Sequence, residues 1–542
     1  MSDYYHDDPV EVEKSGHLTS KLITSAVVVI ASVFFFQGTL ASNISINSGQ
    51  NIEFGQSVAV TAVCSGSENL TVTPRSSFDN AANGTGTYYL SSVSVSGIPS
   101  SCEGKDFNIS FYDSATGSSA LPIFTPPFES SKSVATVYNN AGYFQGGFQS
   151  TGTTVSSASG AFTVTFKTPV ALSTNTMKVT LQSTEHKDWA QASITGGQGH
   201  TCTLLSSSIL KCWGDNGTGQ LGDGTTTQRL TPVAVSGLSS AVSAISIRAN
   251  HTCALLLTGA VQCWGNNGDG RLGDGTLVNK SSPTNVSGLS SGVIAISAGE
   301  GHTCALLRTG GVKCWGAGGK TGDNTATQRL TPVDVYGLTS GVSAISAANY
   351  HTCALLSTGA VKCWGSENNG TLGNAGGGNA PGGAISGFSA DVIALASGIR
   401  HTCALLSTGG VQCWGTNDEG QLGNGTTSAG SSTPVNVSGL SSGVVAISAG
   451  NTTSCALLST GVVKCWGRNV SGQLGNGTTT SSSTPVTVSG LSAVAIGNGF
   501  YHSCALLSSG AARCWGHNSS GQLGNGTTSN TNSTPVSVTG IP

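Results

Sequence analysis

Charge is what this chain has least of. Lys, Arg, Asp and Glu together supply 9% of 542 residues, against about 25% in an ordinary soluble domain. A disordered chain needs charge to stay solvated, and a mainly helical one uses it on its outer faces, so both classes lose ground. No basic excess exists either: the net charge of −3 sets up no field to collect phosphates, which argues against a nucleic-acid partner. Also missing are C-x-x-C, G-x-S-x-G and H-E-x-x-H, and the few carboxylates are scattered. Without a nucleophile with its base, a carboxylate pair or a metal set, the expectation is a protein that is not an enzyme and carries no cofactor. Gly, Ser, Thr, Asn and Val fill the space instead, with 77 glycines. That is the vocabulary of short strands and tight turns.

Residues 1–21 are polar, and Leu22 to Leu40 follow without a charge, their apolar centre running from Ala26 to Phe36. This length lies between the core of a signal peptide and a full bilayer span, and residues 22–41 serve as either a cleaved signal or a retained anchor. Lys14 and Lys21 precede the stretch and the next basic residue is Arg75. The positive-inside rule then leaves a cytoplasmic tail at 1–21 and places the rest outside the cell, secreted or held at its surface. Membrane contact is expected only through that segment, and only if it is retained. Residues 43–188 show runs alternating apolar residues with Ser or Thr, as in Val58 to Val63, Tyr88 to Val95 and Phe162 to Phe166. A β-sandwich-like domain is expected there, with Cys64 and Cys102 as its one disulfide.

From residue 192 to 542 the chain repeats itself seven times. Cys202, Cys253, Cys304, Cys353, Cys403, Cys455 and Cys504 are spaced by 51, 51, 49, 50, 52 and 49 residues. Periods of this size mark propellers, solenoids or arrays. Three or four short strands per unit, parted by Gly, Asn and Ser, describe the blade of a β-propeller.

Each unit holds a second cysteine ten positions after the first: Cys212, Cys263, Cys314, Cys363, Cys413, Cys465 and Cys514. If Leu257, Thr258 and Gly259 form a three-residue hairpin loop with Gly in the left-handed conformation, Cys253 stands opposite Cys263 and the sulfurs can join. Seven such disulfides are expected, in keeping with an oxidising compartment. Reduced core thiols and a metal site are the competing readings. The first unit has Ser208 where six have Gly.

Three further slots recur. His200, His251, His302, His351, His401 and His502 hold one position, with Thr453 in the sixth unit; a hydrogen bond pinning a blade turn is the expected role. Tryptophans 213, 264, 315, 364, 414, 466 and 515 follow the second cysteine, so they point to the other face of the strand and pack between blades. Loops such as Asp215 to Gly224 read as Asn/Gly turns rather than calcium sites, since sister loops replace Asp with Asn424, Asn476 and Asn525.

The segments Gly398 to Leu406, Cys413 to Gly415 and Asn417 to Thr426 resemble the repeats of the regulator of chromosome condensation family, over about 65% of the chain. The resemblance implies a seven-bladed propeller, and the cysteine pair resembles exported bacterial versions of the repeat. It also raises two functions: guanine-nucleotide exchange, and enzyme inhibition of the kind shown by secreted propellers that block β-lactamases. Photoreceptor members carry a tryptophan just before the His slot; Tyr350, Arg400 and Tyr501 are among the residues found there instead.

The third unit shortens its loop to Ala317 to Gly322, and the fourth has Gly376 to Gly378 and Pro381 where others read T-P-V. Different outer edges are expected in both. Before the His slot the repeat breaks most, at Arg248, Asn250, Glu300, Asn349, Tyr350, Arg400, Phe500 and Tyr501. Equivalent turns share one rim, so these residues form a candidate partner-binding face, with neutral drift in exposed loops as the other reading. The partner is expected to be a protein or a surface glycan, met by a monomer.

Overall fold

The computed structural model describes the strands of residues 58–185 with a few flanking positions, and residues 193–541 except 206–208 and 374–375. The polar tail and the apolar stretch at 22–41 lie outside the described residues. Among the described residues no helix is long and apolar enough to cross a membrane. The chain falls into two compact units, divided near residue 185.

In the first unit the alternating runs do form strands. Val58–Thr61, Lys178–Glu185, Lys105–Tyr112, Val134–Asn140 and Tyr143–Gly146 make one five-stranded sheet, in that order. Thr71–Asp79, Thr87–Ser96, Ala161–Phe166 and Thr153–Ala158 make a second. One hydrophobic core draws on both, with Phe107, Ile109 and Phe111 from the first and Val93, Val95, Phe162 and Phe166 from the second. Phe107 meets Phe162 at 5.7 Å and Phe111 meets Phe166 edge-on at 6.3 Å between ring centroids. Cys102 is fully buried and disulfide-bonded; Cys64 lies outside the described residues.

The second unit is seven consecutive antiparallel sheets. Blade 2 shows the pattern: Val242–Arg248, His251–Leu256, Val261–Gly265 and Lys280–Asn285, from the axis outward. Blades 1, 3, 5, 6 and 7 repeat it over 193–234, 293–334, 392–436, 444–487 and 495–537. Blade 4 has three strands, 342–365: Gly376 to Gly378 and Pro381 supply neither side chains nor a donor for an outer strand. The shortened loop of blade 3 changes less than expected, because Arg329–Asp334 still forms its fourth strand.

The hairpin arithmetic holds. Gly259 sits at φ +76°, the Leu256 and Ala260 backbones are hydrogen-bonded, and Cys253 pairs directly with Cys263. All seven pairs are bridged, with Cα separations of 4.0–4.1 Å. Blade 1 keeps the Cys202–Cys212 register, although its Ser208 lies outside the described residues.

Each tryptophan seals a seam. Trp264 of blade 2 is fully buried against Leu204, Leu210 and Leu221 of blade 1, and its Nε1 donates to the Gln220 carbonyl at 3.0 Å. Trp315, Trp364, Trp466 and Trp515 donate in the same way to Arg271, Lys320, Gln421 and Gln473. Trp414 has no such acceptor among the described residues; the loop it faces belongs to blade 4 and is rebuilt. The glycine after Leu leaves room for the indole: a Cβ on Gly222 would stand 2.6 Å from Trp264 Nε1.

The ring closes by the same latch. Trp213 of blade 1 donates to the Gln522 carbonyl of blade 7 at 2.9 Å, and Thr201 adds a bond to that oxygen at 2.8 Å. No strand is exchanged between the ends, since all four strands of blades 1 and 7 are contiguous in sequence. Packing and side-chain bonds bring the terminal blades together, so no inner edge is left open.

Candidate functional site

The histidines are wholly buried and join blades rather than pinning turns within one. His200 Nε2 lies 3.0 Å from the Thr252 hydroxyl of the next blade, His251 3.0 Å from Thr303, His302 2.6 Å from Thr352, His351 2.7 Å from Thr402 and His401 2.9 Å from Ser454. His502 closes the circle on Thr201 at 2.7 Å. Where the hydroxyl already donates to a carbonyl, as Thr252 does to Gln220, the imidazole must be the donor, which fixes the Nε2–H tautomer. Every Nδ1 is buried without a side-chain hydrogen-bond partner. Burial holds these rings neutral, lowering His200, His351, His401 and His502 to about 3 and the other two well below the usual value. The one gap in the circle is Thr453, whose hydroxyl turns to the Arg468 carbonyl of its own blade.

The Asn/Asp loops are self-satisfied. Asn216 is buried; its Oδ1 accepts from Leu221 N, and its Nδ2 donates to Asp223 and to the Thr225 and Thr227 carbonyls. Burial alone would raise the Asp223 carboxyl, but hydrogen bonds from Thr225, Arg229 and Asn216 outweigh it and hold the group below the ordinary range. These oxygens are occupied by their own loop.

The eight residues that break the repeat divide into two sets. Asn250, Glu300, Tyr350 and Tyr501 are half-exposed and Arg400 is exposed. Beside them lie the residues that follow each C-W-G, held by bonds such as Asp215 N to Gly199 O, Ala317 N to Gly301 O and Arg468 N to Thr452 O. One face therefore gathers a large share of the propeller's few charges: Asp215, Asp269, Arg271, Glu300, Lys320, Arg400, Asp418, Glu419 and Arg468. Arg271 pairs with Asp269, Arg468 with Glu419 at 2.7 Å, and the Tyr350 ring lies near Lys320 and Arg400 at 5.3 and 5.1 Å.

Arg248, Asn349 and Phe500, by contrast, are buried at 6%, 2% and 6% exposure. They differ from the expectation of a shared exposed rim, and the cause is the axis. Arg248 enters from blade 2, at a position where five sister units have Gly. It donates from Nε to Asn349 Oδ1 at 2.9 Å, from Nη1 to the Ser397 carbonyl at 3.1 Å, and more loosely from Nη2 to the Gly450 carbonyl at 3.4 Å. Its guanidinium carbon is 5.5 Å from the Phe500 ring. One side chain thus reaches blades 4, 5, 6 and 7. Burial lowers its pKa only to about 10 and Glu300 opposes that shift, so it stays charged. The adjoining Ala249 takes φ +46°, a conformation rare outside glycine. Arg248→Met, which keeps the length and removes the donors, is expected to lower stability by about 3–5 kcal/mol because several acceptors lose their partner in the interior. Thermal melting checks this, and Arg248→Met in an Asn349→Ala background measures the share carried by that pair.

A cavity of about 240 Å³ opens on the charged face, lined by Tyr350, Ile399, Arg400, Thr416, Asp418, Gln421, Asn451 and Thr452. Two of the sequence-derived candidates, Tyr350 and Arg400, line it. Thr416 and Asp418 are not among those candidates; their only signal in the sequence is that they closely follow C-W-G on the same rim.

Seven disulfide-braced blades, latched by tryptophan and histidine around an arginine-filled axis, define a closed β-propeller with one charged face. The family model described as RCC1-like domain matches residues 249–541, and that for the regulator of chromosome condensation (RCC1) repeat matches 212–255. The chain belongs to the RCC1-like domain family. It is 35% identical over 126 residues to the probable E3 ubiquitin-protein ligase HERC4 of Homo sapiens, a match covering 23% of this chain and 12% of that protein. It is 32% identical over 126 residues to the ultraviolet-B receptor UVR8 of Arabidopsis thaliana, covering 23% and 29%. The matches thus span well under two thirds of those relatives. Among solved structures, Prp20p from Saccharomyces cerevisiae is similar at a TM-score of 0.55 and 22% identity, over 65% of this chain and 88% of that one. Human WBSCR16 is similar at 0.51 and 21%, over 73% and 96%. These structural likenesses are of fold.

Proposed function

We propose that the protein is a non-catalytic, exported binding protein that holds an extracellular partner, a protein or a surface glycan, on the charged propeller face. The observation that carries this reading is the clustering of non-repeating side chains there: Asn250, Glu300, Tyr350, Arg400 and Tyr501, where architecture asks only for a turn. Aromatic and arginine side chains of this kind anchor interfaces. Prp20p has binding properties to Gsp1p and histones, so a propeller of this fold serves protein binding in that case. Nucleotide exchange on a cytosolic GTPase fits poorly with seven disulfides, whereas secreted enzyme inhibition is a subclass of the reading proposed. Residues 43–188, a β-sandwich-like module in this reading, carry the propeller outward or add surface.

The test joins location to recognition. A C-terminally tagged propeller on intact cells, or in their medium, is expected to be open to added protease. Capture of its partner is expected to weaken at least about tenfold, the loss of one interface anchor, in a Tyr350→Ala, Arg400→Glu, Tyr501→Ala variant. A protected tag, or capture untouched by the triple change, overturns the proposal.

A further inference from the structure

The cavity over blade 5 lies at a seam where the slot before Leu-Gly holds a glutamine that folds back, as it does in blades 1, 6 and 7. Between blades 2 and 3 the guanidinium of Arg271 reaches the Glu300 carbonyl at 2.6 Å, and between blades 3 and 4 Lys320 lies over Tyr350. In blade 5 the same slot holds Gln421, which folds back onto its own loop: Oε1 accepts from Glu419 N and Nε2 donates to Asp418 Oδ1, both at 2.9 Å. Blade 6 contributes only the short Asn451 and Thr452. Arg468 of blade 6 does cross this seam, to Glu419 at 2.7 Å, but neither residue lines the opening.

What lines the opening is chemically specific. Thr416 is 4% exposed, and its hydroxyl has no hydrogen-bond partner. A buried hydroxyl without a partner is unfavourable, and such groups mark places where a partner is to be supplied. Asp418 has one oxygen steadied by Gln421 and the other unengaged among the described residues. Arg400 presents a guanidinium whose contact is the face of Tyr350. Asn451 and Thr452 add an amide and a hydroxyl, and Tyr350 and Ile399 form apolar wall.

The fixed charges leave the ligand class to the hydrogen-bonding groups. Asp418 and Arg400 carry opposite charges, so the lining sets up no net field that selects an ion of either sign. A neutral ligand with several hydroxyls and an apolar C–H surface suits such a lining. It can donate to Asp418, accept from Arg400 and Asn451, and engage Thr416 in either sense. The opening holds one ring of that kind.

We infer that the cavity bounded by Tyr350, Arg400, Thr416, Asp418 and Asn451 is a binding site for one neutral sugar residue. The inference rests on the recognition reading above and deepens it: the partner held on this face carries glycan, and one of its sugars enters at blade 5.

The experiment uses the purified full chain and a panel of methyl glycosides of glucose, galactose, mannose and N-acetylglucosamine at millimolar concentration. Saturation-transfer NMR and titration of the best binder are the readouts. At least one glycoside is expected to bind. Thr416→Val and Asp418→Asn should each weaken that glycoside by roughly tenfold, the loss of one buried hydrogen bond to a neutral or charged group. Thr416→Val removes an unpartnered hydroxyl, so its melting temperature should be unchanged or higher, which separates lost binding from lost folding. No transfer to any glycoside overturns the inference, as does equal binding by both variants, or preferential binding of free acidic, basic or zwitterionic amino acids used as competitors. Tyr501 lies outside the cavity. If Tyr501→Ala abolishes partner capture while no glycoside binds, the sugar site falls and the recognition face stands.

Discussion

Reduction of the seven blade disulfides is expected to abolish folding of the propeller at 37 °C. Every sulfur pair is buried, with cysteine exposures of 0–2%, so reductant alone should act slowly on the native protein. Reductant with enough urea to open the blades should act at once. Each bridge joins cysteines ten apart, and a loop of that size is worth about 2.5–3 kcal/mol in the chain-entropy model, with native strain subtracting from it. Seven bridges then approach about 20 kcal/mol as an upper limit, larger than the roughly 5–15 kcal/mol of net stability typical of a folded domain. Non-reducing peptide mapping should recover seven local cross-links, and the alkylated, reduced chain should show no cooperative melting transition. A reduced chain melting at the native temperature would mean that the bridges are decoration on a fold held by its tryptophan seams.

The brace is legible in the sequence because hairpin geometry leaves little freedom. A left-handed Gly at 259, 310, 359, 409, 461 and 510 sets a three-residue loop, and that loop sets which residues stand opposite one another. Tryptophan's place between blades is legible for a similar reason, as alternation along a strand decides the face. The axis is not. Adjacency in sequence groups Arg248 with the rim residues, and the difference lies in a single column: a long charged side chain replaces Gly, and where sister turns stay flat this one sends a side chain inward. Asn349 and Phe500 share their position, two before the His slot, with the half-exposed Glu300, so place in the turn alone does not separate face from axis. The histidine circle is half legible. Its recurrence points to a structural bond, but the partner hydroxyl lies about 50 residues away on the next blade, a distance no local pattern encodes. The cavity on the charged face is least legible, since its lining comes from three blades and no single motif in the sequence brings Tyr350, Thr416 and Asn451 together.

Acid should dismantle the propeller, with the melting temperature nearly flat above about pH 7 and falling by tens of degrees between about pH 6.5 and 4.5. The sign follows from which state takes the proton. In the unfolded chain each imidazole titrates near 6.5; in the folded ring burial keeps it neutral, to about pH 3 at His200, His351, His401 and His502 and well below the usual value at His251 and His302. Above about 6.5 neither state binds the proton and nothing is lost. Below it the unfolded chain binds protons that the folded chain refuses, so stability falls by about 1.4 kcal/mol per pH unit for each histidine. Six together make a slope on the order of 8 kcal/mol per unit, enough to exhaust an ordinary domain within about two units. Protonation in place is no escape, because the new charge would sit in a desolvated seam, and even at His251, where a backbone hydrogen bond with Arg248 favours the charged form, burial outweighs it. His351→Gln with His401→Gln keeps a donor toward Thr402 and Ser454 while removing two titrating groups, and should cut the slope of stability against pH by about a third. A double variant with the wild-type slope would show that other groups govern the acid transition. Because the same six bonds that clip blade to blade are the ones that acid selects against, loss of the ring and loss of the proposed partner capture should follow one titration curve, measurable as melting and as capture over the same pH range.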